Sequence, residues 1–150
     1  PRVNSQLNPK VNSRLNPRVN STINPRVNSV LNPRVNSSIN YRVNSTINPR
    51  VNASLNPRVN STINPKVNRV YGGAFVYDVD LNRQGHIVRV GEKISLAFDG
   101  NNSLWRIAVS RDGGFSVFNQ ENQYVEHWVA DQQGGYLRFN TDNDWLGIVV

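Results

Sequence analysis

The chain has 150 residues, with 17 Lys or Arg against 10 Asp or Glu and a formal net charge of +7. It contains no cysteine, which excludes disulfide bonds and thiolate metal sites, and it has no run of about 18 apolar residues, which argues against a membrane span. All eight prolines lie at or before Pro65 and all ten glycines at or after Gly72. This shift in composition predicts two segments, 1–69 and 70–150.

Residues 1–68 form one tandem array of octapeptides. Asparagine occupies every fourth position from Asn4 to Asn68 and always follows Val, Leu or Ile, in octads such as PRVNSTIN. Asn and Pro favour successive positions of type I turns, and a proline in almost every octad excludes a continuous helix. The array therefore predicts turns that alternate with short extended pairs.

We predict that these turns stack into a β-solenoid with two octads in each coil. Aliphatic side chains would fill the coils, and asparagine side chains would form hydrogen-bonded ladders between them. In the first coil the inward residues are Val3, Leu7, Val11 and Leu15, and the ladders begin at Asn4, Asn8, Asn12 and Asn16. Because burial of these side chains alone does not offset the ordering of the backbone, a mobile low-complexity arm stays open as the alternative. Pairing of coils through their asparagine faces would give a homo-oligomer.

The octads resemble the tandem NPxxNSxI/L octapeptide arrays of uncharacterised bacterial proteins over residues 1–68, and this resemblance implies no particular activity. In style they are also similar to pentapeptide-repeat solenoids, although the period differs. The compartment is left open, with secretion or the surface of a bacterium as the expectation. Because Pro1 falls inside the repeat and the chain has no methionine, we expect a fragment or a processed product.

A basic residue follows the proline, or Tyr41 in its place, in each octad. In the solenoid these residues would form two exposed cationic rows, which suit an anionic polymer or an acidic glycan bound in a salt-dependent way. The alternative is a solvated edge that prevents association. Tyr41 is the only aromatic residue of the array, so we do not expect sequence-specific nucleic-acid binding. The candidate anion-binding residues are Arg2, Lys10, Arg18, Arg26, Arg34, Arg42, Arg50, Arg58 and Lys66.

Residues 70–150 predict an antiparallel β module. Short apolar runs are separated by Gly, Asn and Asp at hairpin spacing, and no segment has a helical period. Residues 113–129 align without gaps on 134–150, and 95–109 is a fainter third copy of the same strand, Asn/Asp turn and strand. The predicted fold class is therefore all-β: an N-terminal turn-rich solenoid and a small C-terminal antiparallel barrel or sandwich, which would also cap the solenoid.

Five aromatic residues of the second segment are candidates for carbohydrate binding. Flat aromatic faces beside amide and carboxylate groups are what a sugar site needs. The candidates are Trp105, Tyr124, Trp128, Tyr136 and Trp145. Core packing is the competing interpretation for each tryptophan. The hairpins are faintly similar to small β lectins of the mannose-binding monocot type, but the QxDxNxVxY motif of that family is absent.

Catalysis has little support in the sequence. His86 and His127 are far apart along the chain, and no nucleophile, phosphate-loop or metal-ligand motif is present. We predict no catalytic residues, no metal and no cofactor. The predicted function is a non-enzymatic structural or interaction protein in which the repeat presents the β module and contacts anionic polymers. The alternative is a carbohydrate-binding module on a basic stalk.

Overall fold

The computed structural model describes residues 3–150. The repeat contains eight 3₁₀ turns: Ser5–Leu7, Ser13–Leu15, Ser21–Ile23, Ser29–Leu31, Ser37–Ile39, Ser45–Ile47, Ala53–Leu55 and Ser61–Ile63. Eight strands follow: β1 (Phe75–Asp78), β2 (Arg83–Val90), β3 (Ile94–Asp99), β4 (Leu104–Arg111), β5 (Gly114–Phe118), β6 (Tyr124–Ala130), β7 (Tyr136–Asn140) and β8 (Trp145–Val149). Within the described range there is no α-helix, and no helix has the length and hydropathy needed to span a membrane. The all-β prediction is confirmed at this level.

The strands close into one antiparallel barrel in which each strand pairs with its sequence neighbours and β1 pairs with β8. The predicted fold class, a solenoid beside a small barrel or sandwich, is wrong: this single barrel is the only sheet of the described residues, and the repeat forms no stacked coils. Every hydrogen bond within the described repeat spans six residues or fewer, whereas stacking of coils would need partners two octads apart. The prediction of a solenoid cap is wrong for the same reason.

Local hydrogen bonds explain the regular form of the repeat. Where the first octad meets the second, the Asn8 carbonyl accepts from the amides of Val11 and Asn12 at 3.0 and 2.8 Å, which closes one turn. The Asn12 side chain accepts from the amide of Arg14 at 3.2 Å and caps the next turn, while its amide group donates to the carbonyl of Gln6 at 2.8 Å. The predicted asparagine ladders are thus replaced by side-chain contacts two residues ahead and six residues behind.

The two four-residue turns of each octad face opposite ways. The Leu or Ile before each Asn-Pro step and the proline itself turn inward in the middle of the array, whereas the valine of each Pro-Arg-Val turn faces solvent. Ile39, for example, is 3% exposed and Val35 is 67% exposed. The prediction that the valines point inward is therefore wrong. We call residues 3–70 the belt, because its inner face lies along the outer wall of the barrel.

Two hydrophobic clusters define the inside and the outside of that wall. Successive residues of a strand point to opposite faces, so Leu96 faces the belt and Ala97 the lumen. The outer cluster joins Leu31, Ile39, Tyr41, Ile47 and Leu55 of the belt to Val88, Ile94, Leu96, Phe98, Leu104, Ile107, Val109 and Phe118 of the barrel. The inner cluster consists of Val76, Ile87, Ala97, Ala108, Val117, Trp128 and Val149. The predicted division into 1–69 and 70–150 stays a prediction, and the two segments share the outer cluster.

The hairpin turns at one end of the barrel align the belt. In the turns that join β3 to β4, β5 to β6 and β7 to β8, an asparagine with positive φ donates its side-chain amide to an asparagine of the belt. The pairs are Asn102 with Asn64 at 3.1 Å, Asn122 with Asn40 at 2.9 Å, and Asn143 with Asn16 at 3.0 Å. These belt asparagines are three octads apart, so the belt passes one hairpin of the barrel for every three repeats.

The hairpins themselves agree with the internal repeat found in the sequence. Residues 113–129 form β5, a turn and β6, and residues 134–150 form β7, a turn and β8. In each turn an Asn or Asp side chain accepts from the amides two and four residues on, as Asn119 does from Glu121 and Gln123 at 3.0 and 2.9 Å. The prediction of strand, Asn/Asp turn and strand is confirmed for these copies.

The mouth of the barrel as a candidate functional site

A cavity of about 750 Å³ opens at the end of the barrel opposite the belt-aligning turns. Its wall is built from lumen-facing positions of several strands, and the segment before β1 lies at its edge. We call it the cup and define it by Ile87, Ser95, Phe115, Trp128, Tyr136 and Val149. Mouths of β-barrels are common places for small ligands, because the strands hold the wall in a preformed shape.

Three aromatic rings form one side of the cup. The Phe115 ring centroid lies 5.5 Å from that of Trp128 and 5.1 Å from that of Tyr136, with interplanar angles of 64° and 74°. These edge-on contacts are favourable arrangements for aromatic pairs. The indole nitrogen of Trp128 donates to a carboxylate oxygen of Glu126 at 2.8 Å, which fixes the orientation of the ring.

A buried charged network closes the lumen beneath these rings. Arg138 pairs with Glu126 at 3.0 Å and donates to the backbone carbonyl of Tyr77 at 3.1 Å. Arg106 lies 3.5 Å from the same carboxylate, and its guanidinium lies 5.0 Å from the ring centre of Trp105. Two arginines therefore share one glutamate, so the floor of the cup is rigid and carries a net positive charge.

The rim of the cup combines exposed charged side chains with a hydrogen-bonded tyrosine. Arg89 and Glu92 line the opening and are exposed. Tyr71, which precedes β1, donates its hydroxyl to the backbone carbonyl of Ile87 and packs edge-on to His86 with ring centroids 5.4 Å apart. Partial burial raises the pKa of Tyr71. The rim thus offers the charges of Arg89 and Glu92 and an aromatic edge to an entering molecule.

The structure divides the five predicted carbohydrate-binding residues among four places. Trp128 and Tyr136 meet in the cup, with ring centroids 6.5 Å apart. Trp105 lies among the arginines of the floor, and Tyr124 packs on Phe118 under the belt. Trp145 is half-buried, and its indole donates to the carbonyl of Gly147 at 2.8 Å. The five residues therefore do not form one aromatic surface, and carbohydrate binding stays a prediction.

The predicted basic residues lie along one edge of the belt, next to the aligning turns. Lys10 pairs with Asp144 at 2.6 Å, and Arg18 pairs with Asp142. Arg26 lies over the Tyr124 ring, Arg50 approaches Gln120 at 3.5 Å, and Arg58 donates to Ser103 at 2.7 Å. Arg34, Arg42 and Lys66 are exposed, and Arg2 lies outside the described residues. The predicted two rows depended on the solenoid and are not formed; anion binding by single members stays a prediction.

Neither histidine lines the cup in a catalytic arrangement. His127 is buried under the belt, its Nε2 lies 2.8 Å from Asn143 Oδ1, and burial lowers its pKa to about 4. His86 stacks on Phe98 with ring centroids 5.6 Å apart, and burial lowers its pKa. In the described part of the chain no group of three His, Asp or Glu side chains could hold a metal ion.

Sequence reasoning missed Phe115, Ser95 and the Glu126 network. The alignment of 113–129 on 134–150 could have identified Phe115, since it aligns Phe115 with Tyr136. It was missed because the sequence does not show which face of each predicted strand points into the lumen. The cup can hold a small molecule between aromatic and aliphatic walls, with polar contacts at Ser95 and the rim. No protein family, curated protein or solved structure compared with the chain matches it.

Proposed function

We propose that this protein is a non-enzymatic binding module that holds a small, ring-bearing ligand in the cup. The observation that carries the proposal is the preformed cavity of about 750 Å³ at the barrel mouth, which falls in the size range of ordinary ligand sites, roughly 300–1,000 Å³. An apolar wall with few polar groups favours a ligand that buries a flat or aliphatic body and keeps a polar end at the rim.

Three features of the cup support this ligand chemistry. Phe115 and Tyr136 are only half-buried, so part of each ring remains open to a planar group. The buried Ser95 hydroxyl lies on the wall and can orient a polar atom of the ligand. Arg89 and Glu92 can each pair with a charge of the opposite sign at the rim. A sugar residue with an apolar face is one member of this class, so the lectin hypothesis is contained in the proposal.

The belt has a supporting role in this proposal. Without it, the apolar residues of the outer cluster would face solvent over several strands, and exposed apolar patches of that kind promote association. A barrel of short strands that is covered outside and packed inside keeps its mouth in one shape, and a preformed site binds at a lower entropic cost.

The proposal is tested by ligand-observed and protein-observed NMR against a library of ring compounds and monosaccharides. We expect hits that shift the indole NH signal of Trp128 and leave that of Trp145 unchanged. Ser95→Leu should replace the wall hydroxyl by a bulkier apolar side chain and weaken binding, whereas the matched variant Ser103→Leu, in the turn at the opposite end, should bind as the wild type does. A library that yields no perturbation of Phe115, Trp128 or Tyr136 would reject the proposal.

A further inference from the structure

A second polar site lies on the outer wall, beneath the belt. Arg111 reaches across Gly114, and its Nη2 lies 3.3 Å from Nδ1 of His127. Ser116 stands directly opposite His127 in the β5–β6 pair. Tyr124 lies on β6 near Arg111, and the guanidinium of Arg26 in the belt lies 5.7 Å from its ring centre. We call Arg111, Ser116 and Tyr124 the covered cluster.

The covered cluster holds three buried polar atoms that have no hydrogen-bond partner within residues 3–150: Arg111 Nε, Ser116 Oγ and Tyr124 Oη. Each of them can donate a hydrogen bond, and the arginine Nε can do nothing else. The neighbouring imidazole offers no free acceptor, because His127 Nδ1 faces Arg111 and its Nε2 faces Asn143 Oδ1. The hydroxyl oxygens of Ser116 and Tyr124 can also accept hydrogen bonds, but neither has a partner among residues 3–150. The covered cluster therefore holds three unsatisfied donors.

The charge of Arg111 also favours an anion at this place. No carboxylate of the described residues lies within salt-bridge distance of Arg111. Burial lowers the pKa of Arg111 to about 10, so the guanidinium still carries its proton at neutral pH. A mostly buried cation without a counter-ion is unfavourable, and an anion bound beside it would relieve that imbalance.

The corresponding positions of the sister hairpins are apolar. In the copies of the internal repeat, Leu96 and Leu137 stand where Ser116 stands, and Leu104 and Trp145 stand where Tyr124 stands. The outer wall can therefore be packed with leucine at these places. The hydroxyl groups of Ser116 and Tyr124 add hydrogen-bonding capacity next to a buried arginine that leucine at these places does not provide.

We propose that the covered cluster binds a small monovalent anion of halide size, held by Arg111 Nε–H, Ser116 Oγ–H and Tyr124 Oη–H under the roof of the belt. A spherical anion accepts hydrogen bonds from any direction, so it can take donors from three different side chains. Ser116 is wholly buried, so a polymer cannot reach its hydroxyl from solvent. Ser116 and the cup residue Phe115 point to opposite faces of β5. Arg111, whose guanidinium contacts His127 on the outer wall, also lines the edge of the cup.

The direct test is a crystal of the full chain soaked in sodium bromide, with anomalous scattering recorded at the bromine edge. We expect an anomalous peak within hydrogen-bond distance of all three donors. A water molecule at that position, with no bromide peak, would overturn the proposal.

Thermal unfolding supplies the test in solution. At constant ionic strength, replacing sodium methanesulfonate, whose anion is larger than a halide, by sodium bromide should raise the Tm of the wild type, because an anion that binds the folded state alone stabilises it. Ser116→Ala and Tyr124→Phe should each abolish most of this rise, whereas Ser110→Ala, on the cup side of β4, should keep it. An equal response to bromide in all four proteins rejects the site. If a variant does not fold, the wild-type bromide map decides.

Discussion

Tyr41 is expected to fix the register of the belt on the barrel. It replaces proline in one octad, is 2% exposed, and donates its hydroxyl to the carbonyl of Gln120 at 2.6 Å. The other octads are nearly interchangeable, so sliding the belt by one octad would restore almost every other contact. The situation is similar to strand register, which is weakly specified wherever the sequence is uniform.

The cost of losing this contact can be worked from its parts. Tyr41→Phe removes only the hydrogen bond and should lower the free energy of unfolding by about 1 kcal/mol. Tyr41→Pro removes the same hydrogen bond and a buried ring as well, for a total of about 2–4 kcal/mol. With proline at 41, nothing in the repeat itself distinguishes one register from the next.

Engineered cysteine pairs measure the register, because the chain contains no cysteine of its own. Arg18→Cys with Asp142→Cys should cross-link in the wild-type background, where these side chains form an ion pair. In the double variant Tyr41→Pro/Pro33→Tyr, each belt residue should take the place of the residue one octad later, so Lys10→Cys should replace Arg18→Cys as the partner of Asp142→Cys.

The opposite slide supplies the control. Tyr41→Pro/Pro49→Tyr would move each belt residue to the place of the residue one octad earlier, away from β1. This slide takes one octad out of the connection between the Asn64 place and Phe75, which is too short to give it up. We therefore expect this variant to keep the original cross-link and to lose stability. If Tyr41→Pro/Pro33→Tyr also cross-links only through position 18, Tyr41 does not determine the register and the reasoning is wrong.

Three further predictions concern the barrel. Glu126→Gln leaves Arg138 without a buried counter-ion and should lower the free energy of unfolding in urea by about 3–5 kcal/mol; a loss below about 1 kcal/mol would contradict the role of the network. Burial lowers the pKa of His127 from 6.5 to about 4, so as the pH falls this imidazole is protonated in the unfolded chain before it is protonated in the folded one. The free energy of unfolding present above about pH 6.5 should therefore decline by about 3 kcal/mol as the pH approaches about 4. His127→Gln should remove that part of the decline in urea titrations at the two ends of this range. Leu81 has φ 64° in the β1–β2 turn, and the other three turns at that end of the barrel have asparagine at the corresponding position. Leu81→Asn should therefore raise the free energy of unfolding by about 1 kcal/mol, and an unchanged or lower Tm would refute this.

Much of the local structure follows from sequence because it depends on neighbours along the chain. Each Asn-Pro step turns, since Asn accepts from an amide two residues ahead and proline already has the required φ. The hairpins follow from Asn and Asp at regular spacing between apolar runs. Of the candidate site, Trp128 and Tyr136 were found by residue type, but their meeting with Phe115 depends on which face of each strand points into the lumen.

By itself the sequence determined that the chain is β-rich, that the repeat turns every four residues and that strand, turn and strand recur in the second segment. Only the tertiary structure decided that the valines face solvent, that the strands close into a barrel, and that the repeat covers its wall. Each octad has two aliphatic side chains, and either of them can be buried against any apolar surface of suitable spacing. The periodic sequence does not say whether that surface is another coil of the repeat or a barrel. The outer positions of β2 to β5 supply it here, because their leucines, phenylalanines and valines match the inward Leu and Ile of the belt.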